Sequence, residues 1–128
     1  MSKVITLEKL EIYQLSIKLS QISWEIYQGL DWQIKKIIGD QFIEATDSVG
    51  GNIAEGYGRF HYLDRIKFMY NARGSLLESR HWFERLRERD LIKDKKLIRD
   101  YLTVYEKLRP KLNSFIDSLY KSQNASFS

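Results

Sequence analysis

Apolar residues recur at helical spacing in four successive segments of this chain, and no strand-like alternation persists anywhere. Four amphipathic stripes joined by short connections have to be buried against one another, and short connections make sequential helices antiparallel neighbours. The predicted architecture is all-α, an antiparallel up-down four-helix bundle formed as a single domain over 1–128. Its helices are expected over about 7–28, 32–56, 62–89 and 95–121, with a frayed polar tail over 122–128.

Each segment carries its own signals. In the first, Ile12, Leu15, Leu19, Ile22 and Ile26 form a packed seam, with Thr6 as N-cap and Gly29 as stop. A second apolar set, Leu10, Tyr13, Ile17, Trp24 and Tyr27, lies on another face, where it either closes a wide core or meets another subunit. The second segment starts at Asp31 and keeps Ile34, Ile37/Ile38, Phe42, Ala45, Val49 and Ile53 in register. Gly39, Gly50 and Gly51 weaken that helix, and they are expected to make room for Met69 and Tyr70 opposite. The third segment buries Leu63, Ile66, Met69/Tyr70, Leu76/Leu77, Phe83 and Leu86. The fourth, capped by Asp94, holds Ile98, Tyr101, Tyr105, Leu108, Leu112, Phe115/Ile116 and Leu119, and Pro110 is expected to kink it.

Searching these helices for chemistry returns little. The chain has no cysteine, so thiolate metal sites and disulfides are excluded. His61 and His81 stand twenty residues apart, and Glu78-Ser-Arg-His81 is a single carboxylate–histidine pair where a di-iron bundle needs two. Ser48 and Ser75 sit inside helices, where a hydroxyl bonds back to the helix or packs at a contact. Glu44, Asp47 and Glu55 are candidates for paired-carboxylate chemistry only by count, and salt-bridged helix acids are the commoner reading. The glycine-rich run from Gly50 to Gly58 ends a helix and lacks the Lys-Ser/Thr of a phosphate loop. No enzyme, metal or cofactor is expected. Without a leader-like start or a long apolar span, the expected location is the cytoplasm, away from membranes.

Charge is more informative. Residues 1–58 carry five Lys/Arg and eight Asp/Glu, whereas residues 59–128 carry sixteen and nine, so the halves are −3 and +7. A basic half suits an anionic partner such as RNA or DNA. Arg73, Arg80 and Arg87 recur every seven residues and line one face, extended towards the turn by Lys67 and Arg59. Such a stripe can track phosphates, although Glu84 is placed to pair with both Arg80 and Arg87. Trp32, Phe60 and Tyr62 lie near helix ends, where capping the bundle is the expected role and stacking on bases the alternative.

The stretch Asp47-Ser-Val-Gly-Gly-Asn-Ile-Ala-Glu-Gly-Tyr-Gly-Arg59, followed by Ala72-Arg-Gly-Ser-Leu-Leu-Glu78, resembles the bacterial four-helix bundle family found in intervening sequences of 23S ribosomal RNA genes. That family includes the accessory protein of diversity-generating retroelements, a pentamer that works with a reverse transcriptase and nucleic acid. The resemblance implies a bundle, a homo-oligomer (a pentamer by analogy), nucleic-acid contact and no enzyme. Asn52, Glu55, Gly56, Arg59, Gly74, Ser75 and Glu78 carry the motif, and Asn52 and Glu55 are expected to be buried or half-buried, with the turn's backbone and Arg59 or Arg73 as partners. Two function classes stand side by side at this point: an accessory factor binding nucleic-acid backbones, and a protein-interaction or scaffold module.

Overall fold

The computed structural model describes residues 5–127, and the side-chain surroundings of residues 5–122. A turn of 3-10 helix, Leu7–Lys9, leads into α1 (Glu11–Gln28). Next come a short α2 (Trp32–Ile34), a π-helical turn over Lys35–Gly39, and α3 (Asp40–Tyr57), which together make one long rod. Two long helices complete the chain, α4 (Tyr62–Glu88) and α5 (Lys95–Phe127). Among the described residues there is no strand.

The caps explain most of the boundaries. The Asp31 side chain accepts a hydrogen bond from the Ile34 amide at 2.9 Å and starts α2. Asp94 accepts from the Lys96 amide at 2.9 Å and starts α5. Thr6 does not cap α1: it precedes the 3-10 turn and its side chain makes no cap bond. Instead Leu10 is extended, and Gln14 reaches back to the Glu8 carbonyl at 2.9 Å. α4 stops in a left-handed turn at Asp90, φ 54°, with the Leu91 amide bonded to the Leu86 carbonyl at 3.0 Å. That is the 6→1 closure of a Schellman motif, with aspartate where glycine is usual. α5 runs through Pro110 as one helix and continues to Phe127, so residues 122–127 of the expected tail are helical, and residue 128 lies outside the described residues.

The helices pack in cyclic order, α1 against α3, α3 against α4, α4 against α5 and α5 back on α1. Their buried stripes form one core that includes Leu19, Phe42, Val49, Ile53, Met69, Phe83, Tyr101, Leu108 and Leu112. The π turn settles an ambiguity of the sequence: it buries Ile38 and leaves Ile37 outside.

The glycines do not face the residues expected. A methyl group on Gly39 would meet Tyr27 and Leu30, and one on Gly50 would meet Ser16, all on the α1 side. Gly56 is the glycine that admits Met69, where α4 crosses so closely that an added carbon would lie 2.8 Å from the Phe68 Cβ and 2.9 Å from the Met69 Cε. Gly51 and Gly74 face open space.

One buried polar chain ties three helices together. Thr46 donates to the Phe42 carbonyl at 2.8 Å, and the Thr46 and Ser79 hydroxyls lie 2.6 Å apart. Ser79 and Tyr101 are 2.7 Å apart. Each hydroxyl has one proton, so the direction is set: Tyr101 donates to Ser79, Ser79 to Thr46, and Thr46 to the backbone. Burial pushes the Tyr101 pKa well above the phenol range, more than its bond with Ser79 lowers it, so the chain keeps its protons.

Candidate functional site

The seven-residue spacing does place Arg73, Arg80 and Arg87 on one side of α4, and that side is the seam with α5. Arg73 donates to the Asn113 side chain at 3.2 Å, and its guanidinium lies 4.6 Å from the Tyr70 ring centre. Arg80 donates to Glu84 at 2.8 Å and to Glu106 at 3.4 Å, and lies 4.7 Å from the Tyr105 ring centre. Arg87 donates to the other oxygen of Glu84. Burial alone would raise the Glu84 pKa, but the bonds from Arg80 and Arg87 outweigh it and hold the carboxyl below its ordinary value. A carboxylate depressed in this way stabilises the fold above its unfolded-state pKa. That contribution is lost only as pH falls through the folded value, so the seam is intact at neutral pH.

The remaining basic candidates sit elsewhere. Lys67 is exposed on the outer face of α4, a different azimuth from the seam. Arg59 lies in the connection after α3, paired with Glu55 at 3.1 Å and 4.9 Å from the Phe68 ring centre. The five residues are therefore one seam of three, a lysine on the adjoining face, and an arginine at the bundle end.

The motif residues also separate on inspection. Asn52 donates to the Ser48 carbonyl at 2.9 Å and to its hydroxyl at 3.0 Å, and Ser48 meets Ser75 across the α3/α4 contact at 2.9 Å. With buried Gly56, these residues hold α3 against α4. Glu55, expected to be half-buried, is exposed; it answers Arg59 alone, a surface pair that contributes little. Glu78 is exposed and accepts from the Trp82 indole at 3.4 Å, and Gly74 is exposed. The end-capping role expected of Trp32 and Phe60 fails, because they are 66% and 87% exposed; only Tyr62 packs on the core.

No group of three or more His, Asp or Glu side chains that could hold a metal exists among the described residues. His61 and His81 are exposed, lying edge-on to Phe60 and Trp82. No helix of the described residues is long and apolar enough to cross a membrane.

What the sequence only half revealed is how its charge is distributed in space. α1 and α3 carry six carboxylates and one lysine, a net of −5. α4 and α5 carry thirteen Lys/Arg and seven Asp/Glu, a net of +6. Because α1 neighbours α3 and α4 neighbours α5, the −3 and +7 halves of the chain become two opposite sides of the bundle. α3 has no Lys or Arg at all, and Glu44 and Asp47 on its outer face pair with no cation among the described residues. Each side also exposes apolar groups. Ile17 and Trp24 of α1 are 48% and 44% exposed, Ile17 lying beside Gly50, whereas exposed Leu63, Tyr70 and Leu77 of α4 repeat every seven residues, Tyr70 lying edge-on to Tyr120.

A family model described as 23S rRNA-intervening sequence protein matches residues 8–114. The chain belongs to the 23S rRNA-intervening sequence protein family. The matched span takes in α1, α3, α4 and most of α5, and so includes both charged sides. A solved structure from the S23 ribosomal protein family of Bacteroides thetaiotaomicron, a protein of unknown function, is similar at a TM-score of 0.71 and 17% identity. The alignment covers 82% of this chain and 97% of that one, which makes the four-helix architecture a shared fold. No curated protein matches this family member.

Proposed function

We propose that this chain is a non-enzymatic interaction module whose first partner is a second copy of itself. The observation that carries the reading is the outer face of α1. Ile17 and Trp24, one heptad apart, stay 48% and 44% exposed, and neither belongs to the buried core. Large apolar side chains left exposed on one helix face point to an interaction site. The burial of Ser79 and Tyr101 in a closed hydroxyl chain supports a binding role over a catalytic one.

The test is a paired size measurement by light scattering. The unmodified chain is expected to elute as a multiple of 15.3 kDa, and the Ile17→Asp/Trp24→Asp variant as the monomer with an unchanged helical spectrum. Equal masses for the two proteins would remove this face from the account.

Nucleic acid is a second reading, favoured by the net +6 of α4 and α5. The contacts would be to phosphates, through Lys67 and Arg73, which have no carboxylate partner, and through Arg109, whose nearest carboxylate is 3.9 Å away. A gel shift with structured RNA and DNA at two salt concentrations checks it. Binding is expected to be indifferent to sequence and to weaken steeply with salt. Affinity unaffected by salt would exclude the basic side. Work beside a reverse transcriptase, which the resemblance implies, would sit on top of either reading.

A further inference from the structure

We propose that this chain carries a small-molecule site for an anionic amphiphile, a carboxylate on an unbranched apolar chain as in a fatty acid, with Arg65 holding the head group. The site lies at the end of the bundle where α3 passes into α4. The proposal is independent of the self-association reading and uses none of the exposed α1 residues that carry it.

The first observation is a cavity of about 460 Å3. Leu10 ahead of α1, the buried Met69 of α4 and Phe115 of α5 give it apolar walls, and Gly56 at the end of α3 contributes bare backbone. Ile5, 52% exposed, stands at its border. Small-molecule sites have volumes of about 300–1,000 Å3, mostly apolar walls and a few placed polar groups, and this cavity fits that description. Leu10 and Phe115 also wall a second cavity, of about 380 Å3, which continues past Ile12 to Lys111. The apolar surface is therefore drawn out along the α1/α5 groove, a shape suited to a chain.

The second observation is the state of Arg65, the one charged side chain on the first cavity. Its Nε donates to the Arg59 carbonyl, and its guanidinium lies 5.8 Å from the Tyr62 ring centre. Among the described residues no carboxylate pairs with it. A guanidinium tied through Nε still has its terminal N–H groups, held in a fixed plane, and that fork matches a carboxylate. Tyr57 lines the same cavity and adds a phenol that can donate.

The far end of the groove sets the direction. Lys111 is already answered there by Glu11 at 2.6 Å. One anionic head therefore belongs at Arg65, and the apolar chain runs from it over Met69, Leu10 and Phe115. Both parts of the ligand are needed. A bare carboxylate would meet Arg65 as a solvent-exposed pair, which contributes little. A neutral chain would leave the guanidinium unanswered.

Met69 reports on the cavity directly. The chain has two methionines, so isotope labelling of their methyl groups gives a simple spectrum, and the signal lost in Met69→Leu is the one to follow. The full-length chain is titrated with hexanoate, octanoate, decanoate, acetate, decan-1-ol and decyltrimethylammonium. Decanoate is expected to move the Met69 signal saturably. Affinity is expected to rise about fourfold for each methylene that reaches the cavity. Decan-1-ol is expected to bind about tenfold more weakly than decanoate, and acetate and the cationic amphiphile not at all.

Arg65→Gln should abolish the preference for decanoate over decan-1-ol. Because Arg65 also holds the turn, Ile5→Glu is the second variant: an exposed position, where a like charge at the border should weaken decanoate and leave decan-1-ol unchanged. A Met69 signal that decanoate does not move would overturn the proposal. So would equal affinity for decanoate and decan-1-ol in the unmodified chain, or decanoate affinity that Ile5→Glu leaves unchanged.

Discussion

Gly56→Ala is expected to lower the stability of the fold by about 1–2 kcal/mol, the balance of about 1–3 kcal/mol of overpacking against up to about 1 kcal/mol gained in helix propensity. The added carbon would lie 2.8 Å from the Phe68 Cβ and 3.3 Å from the Arg65 carbonyl, so the backbone of α4 would have to move away. The same substitution at Gly51 meets nothing within 4 Å and is expected to stabilise the monomer by up to about 1 kcal/mol. Thermal melts of the two variants at dilution should therefore shift in opposite directions, by roughly 4 °C for each kcal/mol. A Gly56→Ala melt at or above the unmodified value would contradict the close α3/α4 crossing.

Tyr101→Ala is expected to be the costliest single change in the core, at about 3–5 kcal/mol by analogy with other buried aromatics. The Tyr101 ring stacks on Phe83 with centroids 3.9 Å apart and planes 10° from parallel, and it is wholly buried. Tyr101→Phe keeps that stack and removes only the proton donated to Ser79, which still has Thr46 as its own acceptor. Its cost is expected to be about 0.5–1.5 kcal/mol. Urea unfolding of the pair separates packing from the polar chain. If Phe and Ala were equally damaging, the hydroxyl and not the ring would be what holds α3, α4 and α5 in register.

The fold was legible because each helix announces itself locally. Ile12, Leu19, Ile22 and Ile26 repeat on one face, Asp31 and Asp94 supply caps whose bonds form as read, and Gly29 stands at the end of α1. What was not legible depends on partners remote in sequence. Nothing in Ile34-Lys-Lys-Ile-Ile38 distinguishes an α turn from a π turn, and the buried Ile38 joins a core whose other members come from remote helices. The glycines could be counted but not assigned, because the atom each makes room for sits on another helix.

The candidate site divides in the same way. The arginine repeat and its pairing with Glu84 follow from helical spacing alone. That the repeat faces α5, with Tyr105 and Glu106 waiting there, required the bundle. Thr46 and Ser79 went unnoticed, although both fall on the buried stripe of their helices. A small hydroxyl at a core position on each of two adjacent helices was the available signal.

Sedimentation of the unmodified chain over a wide concentration range, at low and high salt, tests the account most directly. The expected result is a mass that rises through multiples of 15.3 kDa with concentration. A single 15.3 kDa species at every concentration, in low salt, would contradict it.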